Sequence, residues 1–273
     1  MIILRKKLCL YILIACLLCT NFNLTVQASD TRSNQYTQID EIYSASSIEN
    51  AVILYEQALA RHQGTIQIIL ANDISYQDFW NALKALLEKH TRNYSNFNVD
   101  SLNIDISNHV ATIYTSFYTS AEEERFLNML YAQLHEQTVS MSDYEKIKYM
   151  HDFICQSITY DDATLNNLAN ERSAYDGLVE GRTVCCGYTL AFQRFMEQEG
   201  IPSYIMCGDS PEGPHAWNVV YLDNQWYHLD ATWDDQNGKI DYSYFLIGLD
   251  KIPFPYYYED MDFQLSPVSY CLS

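Results

Sequence analysis

Beyond its first 28 residues, the sequence contains no apolar run long enough to span a membrane. The N-terminal half has no glycine-rich phosphate loop, and the cysteines beyond that first segment show no C-x-x-C spacing. The spacing argues against a structural zinc site and against a thioredoxin-like redox site. Basic residues are few, since 16 lysines and arginines against 35 acidic residues leave a formal net charge of −19. Such a surface disfavours nucleic acid and anionic lipid as partners and is typical of a soluble protein.

The N-terminal segment has the three parts of a secretory signal peptide. Basic residues at 5–7 precede the apolar stretch LCLYILIACLLC, and VQA before Ser29 forms a small-residue cleavage site. We therefore predict a signal peptide over residues 1–28 and a secreted protein. Cleavage would remove three positive charges and take the net charge from −19 to −22. The alternative is a lipid anchor at Cys16 within LIAC, although the apolar residues that follow it favour simple secretion.

Five of the eight cysteines lie outside the predicted signal peptide. An odd number in a secreted protein implies that at least one thiol is free or pairs between molecules. Cys185 and Cys186 are adjacent, and a disulfide between neighbouring residues closes only a strained ring. Both lie where a helix is predicted to begin, and the positive end of the helix dipole favours a thiolate there. Either sulfur is therefore a candidate nucleophile.

The first part of the mature sequence predicts a small α/β region with no cluster of titratable residues. Residues 29–45 are polar and irregular, and we expect a disordered lead. Residues 46–135 form the predicted N-terminal α+β extension, with a role in packing or substrate presentation. Its predicted elements are a helix capped by Ser46 and ended by Gly64, a strand at 65–70, a helix at 75–90, a hairpin of 101–107 and 109–118 turning at Ser107-Asn108, and a helix from Thr119/Ser120 to about His135.

Residues 136–273 form the predicted second domain. A capping box of Ser142 and Glu145 opens its first helix, in which we expect His151 to be a satisfied core histidine. A second helix begins near Val184 and stops at Gly200. Four strand-like segments follow, SYIMCG, HAWNVVYL, QWYHLDATW and YSYFLIGL, and then an irregular aromatic tail.

Strand geometry places further groups near the candidate thiol. If HAWNVVYL and QWYHLDATW form a hairpin around Asp223-Asn224, alternation brings four side chains to one face. These are His215, Trp217, His228 and Asp230. A helix packed on that face would bring its N-terminal cysteine to His215, which lies diagonally across from Asp230.

The remaining residues of the hairpin are predicted to have lesser roles. His228 lies deeper in the hairpin, beside Val219, and is a supporting residue with a smaller chance of being the base. Asn218 and Trp233 have the opposite parity and are expected to pack in the core rather than at the site.

These segments resemble the core of bacterial transglutaminase-like proteins, within the wider papain-like cysteine superfamily. The resemblance covers roughly residues 119–250. It rests on Val-Cys-x-Gly-Tyr from Val184, His-Ala-Trp-Asn from His215, Asp-x-Thr-Trp from Asp230, and the helix EKIKYMHDFICQSITYD that leads to Tyr160 and Asp161.

The resemblance implies an α+β fold in which a nucleophile helix packs on an antiparallel sheet, preceded here by the smaller extension. It also implies that Cys185 attacks a carbonyl carbon, His215 carries the proton and Asp230 holds the imidazole in its useful tautomer. Cys186 stands where a polar residue such as Glu or Gln is expected. Tyr160 is a candidate second oxyanion donor, beside the backbone N–H of Cys185.

The sequence therefore predicts a secreted thiol enzyme that acts on amide bonds of a protein or peptide, with cell-wall peptides among the plausible substrates. Hydrolysis and amine transfer both remain open. The alternative is a non-catalytic secreted binding module that retains the fold, because oxidation at Cys186 would mask the thiol. No cofactor or metal is expected, since DDQNG at 234–238 lacks the first ligand and the distal glutamate of a calcium loop and predicts a β-turn.

Overall fold

The described parts of the chain form two compact units, one ending at Tyr118 and the other beginning at Thr119. In these parts, no helix is both long enough and apolar enough to cross a membrane. The predicted signal peptide, including Cys16, lies outside them and stays a prediction. The computed structural model describes residues 39–92, 99–161, 172–236, 239–252 and 263–271.

The first unit is a four-stranded sheet with two helices. Its strand order is β1-β2-β4-β3, with β1 parallel to β2 and the other neighbours antiparallel. Apolar positions of the strands and helices meet in one core around Tyr55, Phe79 and Ile113. The elements are β1 (Glu41–Ala45), α1 (Ile48–Ala60), β2 (Thr65–Leu70), α2 (Tyr76–Arg92), β3 (Val99–Ser107) and β4 (Val110–Phe117).

The predicted disordered lead is wrong for residues 41–45, which form β1. Their backbone pairs in parallel with β2, so that Glu41 lies opposite Ile66. This pairing is long-range, and a single short strand with one buried residue, Ala45, carries little pattern of its own. Residues 29–38 of the predicted lead lie outside the described residues.

Two boundaries in the first unit are shifted relative to the prediction. Helix α1 is capped by Ser47, whose side chain accepts the backbone N–H of Asn50 at 3.2 Å, rather than by Ser46. The hairpin turn is Asn108-His109 rather than Ser107-Asn108. Both turn residues have positive φ, 50° and 61°, as a two-residue type I′ turn requires.

The second unit surrounds one helix, α6, most of which is buried. A parallel pair, β5 with β6, leads into α6, and an antiparallel sheet of order β7-β8-β9 follows it. The elements are α3 (Ala121–Thr138), α4 (Asp143–Ser157), β5 (Thr159–Tyr160), α5 (Ala174–Leu178), β6 (Arg182–Thr183), α6 (Cys185–Glu199), β7 (Ser203–Ser210), β8 (Gly213–Leu222), β9 (Gln225–Leu229) and α7 (Ala231–Asp234).

Helix α3 packs within the second unit, although we predicted it as the last element of the extension over residues 46–135. The hydroxyl of Tyr131 donates to the backbone oxygen of Ala191 in α6 at 3.0 Å. The boundary between the units therefore lies before α3, at Tyr118. Both predicted capping boxes at the starts of α3 and α4 are present, and α6 ends at Gly200 with φ 71°.

Two predicted strand segments have a different structure. Residues 230–233 do not extend β9, because the Asp230 side chain accepts the backbone N–H of Trp233 and caps α7. The segment YSYFLIGL makes only an isolated bridge from Ile247 to His228. Leu246 has φ 51°, which interrupts an extended backbone there.

Gly187 allows α6 to pack closely against the residues that precede it. A Cβ added at this position would lie 2.3 Å from Thr183 Oγ1 and 2.8 Å from the backbone oxygen of Ser173. Neither neighbour is the mobile end of a long side chain, so the backbone would have to shift.

We predict that Gly187→Ala destabilises the second unit by about 2 kcal/mol through overpacking. Thermal unfolding followed by circular dichroism measures the effect. The matched control is Gly64→Ala in the first unit, where an added Cβ would meet the Thr115 oxygen at 3.3 Å. An equal fall in melting temperature for both variants would contradict the prediction.

Candidate active site

The hairpin of β8 and β9 has the predicted turn and register. Asp223 and Asn224 have φ values of 49° and 65°, the combination that a type I′ turn needs and that these residue types tolerate. Val219 lies opposite His228 in the ladder. The turn therefore determines which residue of β9 faces each residue of β8.

His215 and Asp230 form a buried, charge-assisted hydrogen bond. Nε2 of His215 lies 2.6 Å from a carboxylate oxygen of Asp230, and both side chains are almost fully buried. The other Asp230 oxygen accepts the backbone N–H of Trp233 at 3.2 Å, since Asp230 is the N-cap of α7. The carboxylate is thus held from two sides, and Nδ1 is the ring nitrogen left to face the sulfur.

Cys185 is the first residue of α6, after an extended Val184 that supplies no side-chain cap. Hydrogen bonds from the Cys186 side chain, from His215 and from the backbone of Ala216 lower the pKa of the Cys185 thiol well below its usual value, although burial opposes them. The positive end of the helix dipole acts in the same direction. The structure therefore brings Cys185, His215 and Asp230 together.

The charge on His215 is opposite in sign to the charge on the sulfur. Burial lowers the pKa of His215, but the Asp230 carboxylate and the Cys185 sulfur outweigh it and raise the pKa to about 10. A raised imidazole pKa and a lowered thiol pKa favour a thiolate–imidazolium pair at neutral pH.

The predicted side of the sheet for α6 is wrong. The Asn218 side chain donates to the Thr189 backbone oxygen in α6 at 3.2 Å, and Ser203, which shares that face, bonds Gln193. Helix α6 therefore packs on the face opposite to Trp217 and His228. The sequence could not distinguish the faces, because residues 215–220 are buried throughout rather than alternately.

The sulfur nevertheless contacts His215, at the part of β8 that β9 does not cover. The last residue pair of the β8–β9 ladder is Asn218 with Leu229, so no β9 residue lies opposite His215. The N-terminus of α6 meets β8 beyond that point, where His215 and the Ala216 backbone both contact Cys185.

Trp233 lies at the site, although we expected it to pack away from it. Its ring stacks on His215 with centroids 4.9 Å apart and an interplanar angle of 17°. The alternation of side chains along a strand does not apply at this residue, because the strand has ended and Trp233 belongs to α7. The stacked indole covers one face of the imidazole.

The supporting residues Trp217 and His228 lie on one face, as predicted. The Trp217 ring lies 6.1 Å from the ring of His215 and 6.0 Å from that of His228. Burial lowers the pKa of His228 to about 4, so this histidine is neutral at physiological pH. A neutral, fully buried ring suits packing better than the role of the base.

The other two supporting candidates flank the thiol. Tyr160 pairs with Thr183 in the β5–β6 ladder, and Thr183 lies two residues before Cys185 in the sequence. Its ring lies 6.3 Å from that of Tyr188. Cys186 is half-buried and is hydrogen-bonded to Cys185 through its side chain.

Sequence reasoning missed a second polar cluster beside α7. His151, which is fully buried as predicted, lies 3.1 Å from Asp234 and 3.8 Å from the Cys155 sulfur. The only signal in the sequence was the helical spacing of His151 and Cys155. Part of the predicted turn DDQNG, residues 237–238, lies outside the described residues. Among those described, no three or more His, Cys, Asp or Glu side chains form a group that could hold a metal ion.

Residues 132–231, which include this site, match the family model described as the Transglutaminase-like superfamily. Two curated relatives are kyphoscoliosis peptidases. The protein from Mus musculus is 32% identical over 130 residues, which are 42% of this chain and 19% of that protein. The protein from Homo sapiens is 32% identical over 115 residues, which are 37% and 17%. The chain thus spans less than a fifth of the length of either relative.

The solved structures that are similar to this chain have low sequence identity to it. The match to a crystal structure of a TGase has 16% identity and a TM-score of 0.38, and it covers 65% of this chain and 53% of the TGase chain. The periplasmic domain of TgpA from Pseudomonas aeruginosa is 15% identical with a TM-score of 0.32, at 47% and 57% coverage. Neither likeness is strong enough to bear on function.

We predict that iodoacetamide modifies Cys185 rapidly at about pH 6, where an ordinary thiol is ionised in roughly one molecule in 300. The raised His215 pKa keeps an imidazolium beside the sulfur below about pH 10, which favours the thiolate down to acid pH. His215→Ala should slow the modification at about pH 6 by about tenfold or more. Peptide mass spectrometry measures the rate at each cysteine, and exposed Cys271 is an internal reference. Equal rates at both cysteines would contradict the assigned thiolate.

His228→Gln separates the two candidate histidines. Because His228 is neutral and its ring lies against that of Trp217, the variant should retain rapid modification of Cys185 while its melting temperature falls. Loss of the rapid reaction in a folded His228→Gln protein would instead make His228 the base.

Proposed function

We propose that this chain, which carries a transglutaminase-like core over residues 132–231, is a cysteine-dependent enzyme that cleaves amide bonds in proteins or peptides. The observation that carries the proposal is the buried contact of three groups: a sulfur at a helix start, an imidazole and a carboxylate. Cys185 is the nucleophile, His215 the acid and base, and Asp230 the group that orients His215. Both curated relatives are named as peptidases, which favours cleavage over amine transfer.

The reaction follows from the positions of the charges. The Cys185 thiolate attacks the amide carbon, and the His215 imidazolium gives its proton to the leaving amine as the carbon–nitrogen bond breaks. A water molecule, deprotonated by the now neutral His215, then attacks the thioester. The carbon–sulfur bond breaks, the carboxylic acid leaves, and the thiolate–imidazolium pair is restored.

The start of α6 also provides a donor for the developing oxyanion. The first N–H groups of a helix have no acceptor within the helix, and that of Cys185 lies beside its own sulfur. Tyr160 is the candidate for a second donor, because its strand runs next to the residues that lead into Cys185. Asp230, anchored as the N-cap of α7, holds the His215 ring in place.

The proposed setting is extracytoplasmic and rests on the predicted signal peptide. Substrates would then be proteins or peptides outside the cytoplasm, including cell-wall peptides. The net charge of −19 is consistent with a neutral or basic substrate rather than a polyanion.

The test uses the purified mature chain with a mixed protein substrate and a labelled primary amine. We expect new peptide termini, detected by mass spectrometry, that are absent with Cys185→Ala. Incorporation of the amine would show that the same thiol catalyses acyl transfer instead of cleavage. Conversion of glutamine to glutamate would show that it catalyses deamidation.

The control is Cys271→Ala, which removes an exposed cysteine and should keep the activity. If the wild-type chain and Cys185→Ala give identical product profiles in all three assays, the enzymatic proposal is wrong. The fold would then serve as a binding module.

A further inference from the structure

Asp230, the carboxylate of the site, is carried by a helix too short to hold its own position. Helix α7 has four residues, about one turn, and a single helical turn is unstable in isolation. Its orientation therefore comes from β9, which it directly follows, and from contacts with the elements around it. Those contacts therefore determine whether Asp230 reaches His215.

Three side chains from other helices attach α7. His151 of α4 meets the Asp234 carboxylate at 3.1 Å, and the Cys155 thiol of the same helix donates to the Ala231 backbone oxygen at 3.4 Å. From α6, the Tyr188 hydroxyl donates to the carboxylate of Asp235 at 2.7 Å.

The contact of His151 with Asp234 is the most deeply buried of these. Both side chains have no exposed surface. Nδ1 of the same imidazole lies 3.0 Å from an oxygen of Asp152 in α4. The second Asp234 oxygen accepts the backbone N–H of Tyr244 at 2.9 Å. One imidazole thus lies between two carboxylates and joins α4 to the last residue of α7.

Other charged and titratable groups face this pair. Asp152 is also paired with Lys148 and accepts the Tyr242 hydroxyl at 3.0 Å, so its charge is shared. Hydrogen bonds with Asp152, Asp234 and Cys155 raise the pKa of His151 well above its usual value against the opposing effect of burial. Burial raises the pKa of Asp234 to about 6, so the carboxylate depends on its contacts to stay charged.

We infer that His151 and Asp234 are positioning residues, which hold α7 so that Asp230 stays in contact with His215 and keeps the Cys185 sulfur ionised. The backbone supplies the direct link, because the N–H of Asp234 donates to the backbone oxygen of Asp230 at 3.1 Å. Removing the imidazole leaves a buried carboxylate with no cation beside it and takes away the contact that ties the last residue of α7 to α4. This inference rests on the proposed function, since it concerns the same thiolate.

The experiment compares His151→Gln with His135→Gln. In both variants, glutamine replaces a histidine whose ring contacts a buried carboxylate. His135 meets Glu199 at 2.7 Å at the far end of α6, where Lys146 also pairs with that carboxylate. The readout is the rate of iodoacetamide modification at Cys185 as a function of pH, measured well below each melting temperature.

We expect the apparent pKa of the Cys185 reaction to rise by about one unit or more in His151→Gln, so that the whole profile of rate against pH moves to higher pH by that amount. His135→Gln should keep the wild-type profile even where its melting temperature falls. A merely structural role of His151 would change the melting temperature without moving this pKa.

Tyr188→Phe serves as the second variant where His151→Gln fails to fold. It removes only the hydroxyl on Asp235 and should move the pKa in the same direction by a smaller amount. If His151→Gln folds, a wild-type profile in that variant would overturn the inference. If it does not fold, a wild-type profile in Tyr188→Phe would do so. A wild-type chain that itself shows no reaction at about pH 6 would overturn the proposed function instead.

Discussion

The contact between the sulfur of Cys185 and the imidazole of His215 is the interaction on which the proposed function of this molecule depends. A thiol buried at a helix start would lose reactivity through desolvation alone, since burial raises its pKa. Three hydrogen bonds reverse that effect, from the Cys186 thiol, the His215 ring and the Ala216 backbone. Each partner comes from a neighbouring position in sequence or from β8. A small movement of α6 along the sheet would therefore remove the thiolate.

The surrounding elements explain how such a contact can be held. Gly187 lets α6 approach Thr183, and Asn218 fastens the same helix to the sheet. On the other side, Asp230 belongs to a one-turn helix that depends on α4 and α6 for its position. The site is thus the meeting point of several elements, none of which holds the geometry alone. Helix α3, with Tyr131 bonded to α6, belongs to this support.

Local features of this fold were predictable from sequence. Capping boxes at Ser120 and Ser142, the stop at Gly200 and the turn at Asp223-Asn224 are all set by a few adjacent residues, and each is present. Features that depend on distant partners were not predictable. Strand β1 exists through parallel pairing with β2, and the face on which α6 packs is hidden because β8 is buried on both faces.

The candidate site divides in the same way. Cys185, His215 and Asp230 could be selected from motif and register, but the face of the sheet on which α6 brings the sulfur to His215 could not. The stacking of Trp233 on His215 could not, because Asp230 ends the strand by capping α7 and so changes the direction of the next side chains. The cluster of His151, whose partner Asp234 lies 83 positions away in sequence, left no local pattern.

The central claim is that Cys185 is a thiolate paired with an imidazolium in the resting protein. The most direct measurement is the ultraviolet absorbance of the thiolate, titrated from about pH 4 to about pH 9 in the wild-type chain and in Cys185→Ser. The account predicts a difference signal that is already present at about pH 6 and that His215→Ala moves to the range of an ordinary thiol. A difference signal that first develops at about pH 8.5 in the wild-type chain would contradict the presence of a thiolate at Cys185 in the resting protein.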